Sequence, residues 1–293
     1  MSKLVSHYED QLCPYCREKS YIHFLFHAMP YYRCRSCDLI FFKQVSRADN
    51  IKLLHYYRDK YDSECSNDQN AELRKSLYTR IIKDIEQYKA PGRLLDVGCG
   101  RGHFLIEAKA KGWHVTGVDP SIHSIRHARQ LIQDAAVLGT LKDLNPDLRF
   151  DVITSLNVLD HLSEPWVETA RMKTFLSPGG ILYLRFPNGL FHSHVIKLFS
   201  KFGLSHLIQS YLIFHQYAFT PSYVRKLLSD TGFTDIYIRN SMLSGTGIYG
   251  HRPLLRAVPG AINSLLCLFF KSVETISRKR SLWGPSLLVT ATN

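Results

Sequence analysis

The sequence predicts an α/β protein: a mostly parallel sheet with helices on both faces, preceded by a small cysteine-rich head. Two observations carry this. From Arg93 onward, short apolar runs alternate with amphipathic stretches: RLLDVGCG, GHFLIEAKAKG, HVTGVDP, SIHSIRHARQLI, AAVLGTL, FDVITSLNV and GILYLRFPN. Apolar strands separated by helices belong to parallel sheets that are covered on both faces. Near the N-terminus, two C-x-x-C pairs stand close together, Cys13 with Cys16 and Cys34 with Cys37.

The elements follow in order. Residues 1–45 form the head and residues 46–90 a helical bridging segment. Within the bridge, the polar run SECSNDQN reads as a loop. AELRKSLYTRIIKDIEQY then sets Leu73, Leu77, Ile81, Ile82, Ile85 and Tyr88 on one helical face, until Pro91-Gly92 ends it. Residues 91–293 hold the strand–helix alternation. PSYVRKLLSDTGF is a helix closed by Gly232, FTDIYIRNS the strand after it, and SLLVTATN the last strand. Helical insertions are expected at about 189–216 and 243–284, the second being too long for a hairpin loop.

Composition bounds the function classes. With 45% hydrophobic and 12% aromatic residues, the chain can fill a sizeable core. The formal charge of +12 permits nucleic acid, anionic lipid or phosphorylated partners without choosing among them. The start, MSKLVSHYEDQLCPYC, lacks the apolar core of a signal peptide, which predicts a cytoplasmic protein with thiols or metal ligands rather than disulfides. The apolar stretch Ala257 to Phe270 holds Pro259, Gly260 and Asn263 and falls short of the roughly 20 residues that span a bilayer.

Two C-x-x-C knuckles at this separation can bring Cys13, Cys16, Cys34 and Cys37 around one structural zinc ion. Knuckles often carry glycine after the second cysteine, whereas Arg17 and Asp38 stand there. Asp tolerates a left-handed backbone and Arg does so less readily. CPYC is also a redox dithiol sequence. That reading needs a thioredoxin-like strand before it, and the residues that precede it leave no room for one.

LLDVGCGRGHFL runs from a strand through a glycine turn into a helix. Glycines let the backbone approach a ligand, and Asp119, ending the next strand, can accept ribose hydroxyl hydrogens. Gly98, Gly100 and Gly102 make G-x-G-x-G. The dinucleotide fingerprint would need glycine where His103 stands, which disfavours a dehydrogenase.

LLDVGCGRGHFL, VTGVDPS, FDVITSLNVLDHLSEP and LSPGGILYLRFPN together resemble the successive motifs of class I S-adenosylmethionine-dependent methyltransferases. The likeness covers about residues 91–241, and SLLVTATN resembles the family's last strand. The small-molecule group that includes ubiquinone-biosynthesis O-methyltransferases and sugar and polyketide tailoring enzymes is similar, down to HQYAFTPSYVRKLLSDTGF. The cysteine pairs followed by LIFF resemble zinc-ribbon heads carried by some methyltransferases. The resemblance implies a Rossmann-like seven-stranded sheet. It also implies that Asp96 and the turn Gly98, Cys99, Gly100 and Gly102 hold the methionine part of the cofactor. Asp119 and Pro120 would stand at the ribose, Thr140 and Leu141 at the adenine, and Asn157 at the sulfonium end.

Methyl transfer from a sulfonium needs in-line alignment and, for a hydroxyl or an acidic carbon, a base. His161 and His215 are the candidates, since histidine titrates near neutrality. Alternatively, Asp160 and His161 cap the helix that begins near Glu164-Pro165. The region reads NVLD, without the motif of adenine amino methylation and without a Pro-Cys nucleophile. The favoured acceptor is an O or C atom of a small or lipid-linked molecule. An RNA methyltransferase and a non-catalytic zinc and cofactor scaffold are the rival readings. Specificity is placed in 189–215 and in the late insertion. There Ile262, Leu265, Leu266, Phe269, Val273 and Ile276 share a face beside SRKR, so residues 255–280 either cap the pocket or touch an anionic membrane at its inner face. His192, His194 and His206 read as surface or pocket residues.

Overall fold

The computed structural model describes residues 11–26, 29–42, 68–204, 215–241 and 282–293. In chain order the elements are β1 (Ser20–Phe26), β2 (Met29–Cys34), β3 (Ile40–Phe42), α1 (Asp68–Ile85), β4 (Arg93–Val97), α2 (His103–Lys109), β5 (His114–Asp119), α3 (Ile122–Ile132) and β6 (Ala136–Leu138). They continue with β7 (Phe150–Leu156), α4 (Pro165–Phe175), β8 (Leu176–Pro187), α5 (Gly189–Lys201), β9 (Tyr217–Ala218), α6 (Pro221–Asp230), β10 (Thr234–Asn240) and β11 (Ser286–Thr292).

Seven strands form the main sheet in the order β10-β11-β8-β7-β4-β5-β6. β4, β5, β6, β7 and β8 run parallel, while β11 lies antiparallel between β8 and β10. The expected seven-stranded, mostly parallel architecture is therefore present. Its central strands are apolar because both faces are covered. On one face Leu77, Ile81, Ile82 and Ile85 of α1 pack with Phe104 and Leu105 of α2 and Ile125 of α3. On the other, Met172 and Phe175 of α4 and Val224 and Leu227 of α6 pack against Leu182, Leu184 and Phe186 of β8. Tyr88, assigned to the apolar face of α1, instead lies beyond the helix end and is exposed, because the helix stops at Ile85. No helix among the described residues is long and apolar enough to cross a membrane.

Local sequence sets the helix starts. Ser121 accepts the Ser124 amide at 3.2 Å, Asn188 accepts Leu190 and Phe191, and Thr220 accepts Tyr223 at 3.1 Å, each satisfying an orphan donor of the first turn. Proline stands in the first turn of α4 and α6, where its missing N–H costs nothing.

The second sheet has the order β1-β2-β3-β9 and is antiparallel. Three of its strands come from the head. The fourth, β9, comes from far down the chain, with Phe41 opposite Tyr217 and Ile40 opposite Ala218. Cys13, Cys34, Cys37, Leu39 and Phe41 share one buried cluster with Leu184, Phe186, Phe219 and Tyr223. Tyr15 donates to Asp230 at 2.5 Å, and its ring meets Trp166 and Tyr223 at 5.8 and 5.4 Å. The head is thus cored into the face of the main sheet that α4 and α6 also cover.

Candidate functional site

The parallel strands β4, β5, β6 and β7 all end at the same edge of the sheet, the edge where open α/β sheets bind ligands. β4 gives way there to the glycine turn. Gly98 (φ 76°) and Gly100 (φ 50°) are both left-handed, a region that residues with a Cβ enter at a cost. A Cβ on Gly98 would lie 2.4 Å from Val158, whereas one on Gly100 would meet nothing within 4 Å. The turn therefore presents bare backbone to open space at Gly100. Asp119, at the end of β5, ties it down, since its Oδ2 accepts the Gly100 amide at 2.9 Å and its Oδ1 the Ser121 amide at 2.8 Å.

Asp96 lies beneath the turn, 3% exposed, with Oδ1 accepting the Thr154 hydroxyl at 2.6 Å. Burial pushes its carboxyl up to about 7. Cys99 is buried behind the turn, where burial raises its thiol well above the usual range. Pro120 follows Asp119. Thr140 and Leu141 follow β6, and the Thr140 amide and hydroxyl both bond Asp143 Oδ2, at 2.7 and 3.0 Å, so Leu141 begins a tight capped turn. These residues line one sheet edge, and the open space over the Gly100 backbone beside the Asp119 carboxylate fits the methionine and ribose parts of a nucleoside cofactor.

Asn157 sits at the end of β7 with φ 61°, a conformation that asparagine tolerates better than most residues. Its Oδ1 accepts Arg185 Nη1 at 2.6 Å, and Arg185 Nε donates to Ser241 at 2.9 Å. A buried arginine in the apolar run ILYLRFP was the local signal that this strand end is not plain core, and sequence reasoning passed over it. Just beyond, a short turn carries Asp160 and His161. The His161 and His215 rings meet tilted at 41° with centroids 3.7 Å apart, and His215 Nε2 lies 3.6 Å from Asp160 Oδ2. Their donor atoms and that of Asp160 all fall within 4.8 Å of one another. Asp160 is 2% exposed, its carboxyl raised by burial, and Oδ1 has no hydrogen-bond partner among the described residues. Burial lowers both imidazoles to about 4, so both are neutral near pH 7. The alternative of a capping role is not what is seen, because the N-cap of α4 is Glu164 and no side chain caps it.

The cysteine tetrad lies at the other end of the head sheet. Cys13 and Cys37 sulfurs are 3.5 Å apart, Cys16 and Cys34 sulfurs 3.4 Å, and all four lie within 4.8 Å of one another. Four sulfurs around zinc at about 2.3 Å stand about 3.8 Å apart, so the tetrad has the size of that site. The two knuckles repeat one backbone pattern: Cys13 N–H donates to Glu18 O at 2.8 Å and Cys34 N–H to Leu39 O at 2.9 Å. The amides of Ser36 and Cys37 both point at Cys34 Sγ, at 3.4 Å. Arg17 (φ 65°) and Asp38 (φ 68°) occupy the left-handed position where glycine is usual. Asp38 is further held by Arg33, whose Nε donates at 2.5 Å. The hydrogen bond shared by Cys13 and Cys37 draws the Cys13 thiol below its ordinary range and pushes that of Cys37 up, so the two sulfurs hold one proton between them.

Of the remaining readings, that of His192 needs correction, that of His194 holds, and the others fall outside the described residues. His192 is neither surface nor pocket: it is 3% exposed, and its Nε2 lies 3.0 Å from Pro285 O, which pins α5 to the start of β11. His194 lies at the surface, with Nδ1 2.7 Å from Leu190 O. His206, the stretch 205–214 and the amphipathic segment 255–280 lie outside the described residues.

A methyltransferase-domain family matches residues 70–238. The ubiquinone biosynthesis O-methyltransferase of Idiomarina loihiensis is 29% identical over 155 residues, which are 50% of this chain and 63% of that protein. The same enzyme of Nitrobacter winogradskyi is 33% identical over 95 residues, 31% of this chain and 36% of its own length. The chain thus spans less than two thirds of the length of these curated relatives. A SAM-dependent methyltransferase structure from Archaeoglobus fulgidus shares the fold with a TM-score of 0.50 and 21% identity, over 75% of this chain and 94% of that one.

Proposed function

The chain belongs to the methyltransferase-domain family, and from that premise we propose that it transfers a methyl group from S-adenosylmethionine to an O or C atom of a small or lipid-linked acceptor. The observation that carries this is one row of strand ends. It has an open glycine turn and Asp119 at one point and the neutral pair His161 and His215 beside buried Asp160 at the next. When bound, the cofactor supplies a methyl group already activated on sulfur. Asp96 and the turn from Gly98 to Gly102, with Cys99 behind it, would hold its methionine part, and Asp119 and Pro120 its ribose. Thr140 and Leu141 would border the adenine, and Asn157 would face the sulfonium. Asp119, at the end of β5, would accept the ribose hydroxyl hydrogens.

On the acceptor side, a neutral imidazole of the His161–His215 pair takes the proton that an acceptor hydroxyl or acidic carbon gives up. Asp160, buried next to His215, stabilises the imidazolium so formed. Cys13, Cys16, Cys34 and Cys37 would hold one zinc ion in a structural role. A quinone-like acceptor suits the ubiquinone biosynthesis O-methyltransferases among the relatives, and a sugar or polyketide acceptor suits the sequence resemblance. A lipid-linked one would suit residues 255–280 if they lie at an anionic membrane surface, the inner face of a cytoplasmic membrane. Contact with RNA is the second reading, favoured by the charge of +12 together with the cysteine head.

Calorimetry with S-adenosylhomocysteine, followed by transfer of a labelled methyl group into fractionated lysate, tests the proposal. Micromolar binding and label in a small-molecule or lipid fraction is the expected result. Absence of binding at millimolar ligand would remove the enzyme reading, and binding without any labelled acceptor would favour a scaffold. Label in RNA with a steep salt dependence would favour the second reading.

A further inference from the structure

The acceptor half of the site leans on the head at several points. His215 lies one residue before Gln216 and two before β9, so its backbone is set by what holds that stretch. The carbonyl of His215 accepts the Tyr31 hydroxyl at 3.0 Å, and the carbonyl of Gln216 accepts the Phe42 amide at 2.9 Å. Both donors belong to the head sheet. Tyr31 is itself immobilised: it is 5% exposed, stacked on Phe24 at 5.0 Å and 5°, and tilted against Phe42 at 5.5 Å. Burial raises its phenol, which keeps the hydroxyl a neutral donor.

The same strand then ties down the other half of the histidine pair. Tyr217 donates its hydroxyl to Ser163 O at 2.7 Å, two residues after His161. Its ring meets Trp166 at 5.8 Å, and Thr220 donates to Asp38 O at 3.1 Å, directly behind the second cysteine knuckle. A continuous chain of hydrogen bonds and strand pairings therefore runs from the cysteine tetrad through β2, β3 and β9 to both imidazoles.

We infer that Tyr31 and Tyr217 are positioning residues for the acceptor-side histidines, and that the head, clamped at its cysteine tetrad, is the rigid support that holds His215 against Asp160 and His161. The inference rests on the proposed reading of that cluster. Its physical basis is that a proton acceptor works only when held in place, and the described residues fix His215 from the head side. The titratable groups that act on the His215 ring are Asp160, His161 and, more distantly, His192, while Arg185 acts on Asp160.

The test uses the full chain in Tyr31→Phe, which keeps the ring and removes one hydroxyl, with Tyr217→Phe as the second variant should the first misfold. Histidine-labelled protein is titrated by NMR, with His215 assigned by His215→Gln. Affinity for S-adenosylhomocysteine is read by calorimetry, and methyl transfer is read on the lysate fraction that takes up label. In Tyr31→Phe the His215 titration should rise from about 4 by about one pH unit as water reaches a loosened ring. Transfer should fall about three- to tenfold, with cofactor affinity within twofold of the parent. Chelation of the tetrad metal should reproduce the same pattern and add nothing to Tyr31→Phe. An unchanged His215 titration and unchanged transfer in a folded Tyr31→Phe or Tyr217→Phe chain would overturn the inference, as would a loss of cofactor affinity equal to the loss of transfer. If His215→Gln itself transfers normally, the acceptor-side reading falls, and that result is distinct from a failure of the tyrosines alone.

Discussion

Two glycines two residues apart should fail in different ways when each becomes alanine. At Gly98 the added carbon would lie 2.4 and 2.7 Å from the two Val158 methyls, where carbon atoms need about 3.5 Å. Overpacking of this kind costs about 1–3 kcal/mol. The left-handed backbone (φ 76°) adds roughly 1–2 kcal/mol, so Gly98→Ala should lose about 2–5 kcal/mol of stability. Adding Val158→Ala removes both methyls and leaves only Val158 Cβ, at 3.1 Å, a contact that a small shift relieves. Measured against Val158→Ala alone in a double-mutant cycle, the clash part should return and the backbone part should not. At Gly100 the added carbon meets nothing within 4 Å, and alanine keeps the amide that Asp119 accepts. Only the backbone cost of about 1–2 kcal/mol applies. That carbon nevertheless projects into the space assigned to the cofactor, so affinity for S-adenosylhomocysteine should fall at least tenfold, about 1.4 kcal/mol. Denaturant unfolding and calorimetry on the four chains separate the two effects. Parent-like affinity in Gly100→Ala would refute the placement of the cofactor over this turn. A Gly98→Ala chain as stable as Gly100→Ala would refute the steric account.

Asp96 provides a prediction in pH. Its folded pKa of about 7 lies above that of an unfolded aspartate, so its contribution to stability is full below about 4 and is lost as pH rises through about 7. Three pKa units correspond to about 4 kcal/mol. Asp96→Asn should therefore flatten the difference in stability between pH 4 and pH 7.5 relative to the parent, read by denaturant unfolding, and an unaltered difference would contradict the burial account. For the head, elemental analysis should find one zinc per chain, and Cys34→Ser should abolish it, because Cys34 is the sulfur that receives the Ser36 and Cys37 amides. Retained stoichiometric zinc in that variant would place the metal elsewhere.

The strand–helix alternation was legible because each central strand is an unbroken apolar run, the direct consequence of cover on both faces. The tetrad was legible from spacing, and even its weak point was visible: the two positions flagged for lacking glycine are the two that adopt left-handed φ in the knuckles, at Arg17 and Asp38. What sequence could not give was long-range pairing. β9 is two residues, Tyr217 and Ala218, and such a strand carries no periodicity of its own. Its partners Ile40 and Phe41 carry no local mark of where they will pair. His192 was misplaced for a related reason, since its burial depends on Pro285, far away in sequence. The alternative that made Asp160 and His161 a capping pair rested on nearness to Glu164, whereas the partner Asp160 faces, His215, is again remote in sequence.

The pairing of β3 with β9 bears on how the protein is made. A ribosome delivers residues 11–42 long before residues 215–218, yet the head sheet is complete only when Tyr217 and Ala218 arrive opposite Phe41 and Ile40. Until then Phe41, Leu39 and Tyr32, all buried in the finished fold, lack the partners that bury them, and the loop to be closed encloses most of the main sheet. A metal clamped early by the four cysteines would keep the knuckles folded during that interval. Residues synthesised early thus wait on residues synthesised late, and during that wait the nascent head is exposed to mispairing and to capture by chaperones.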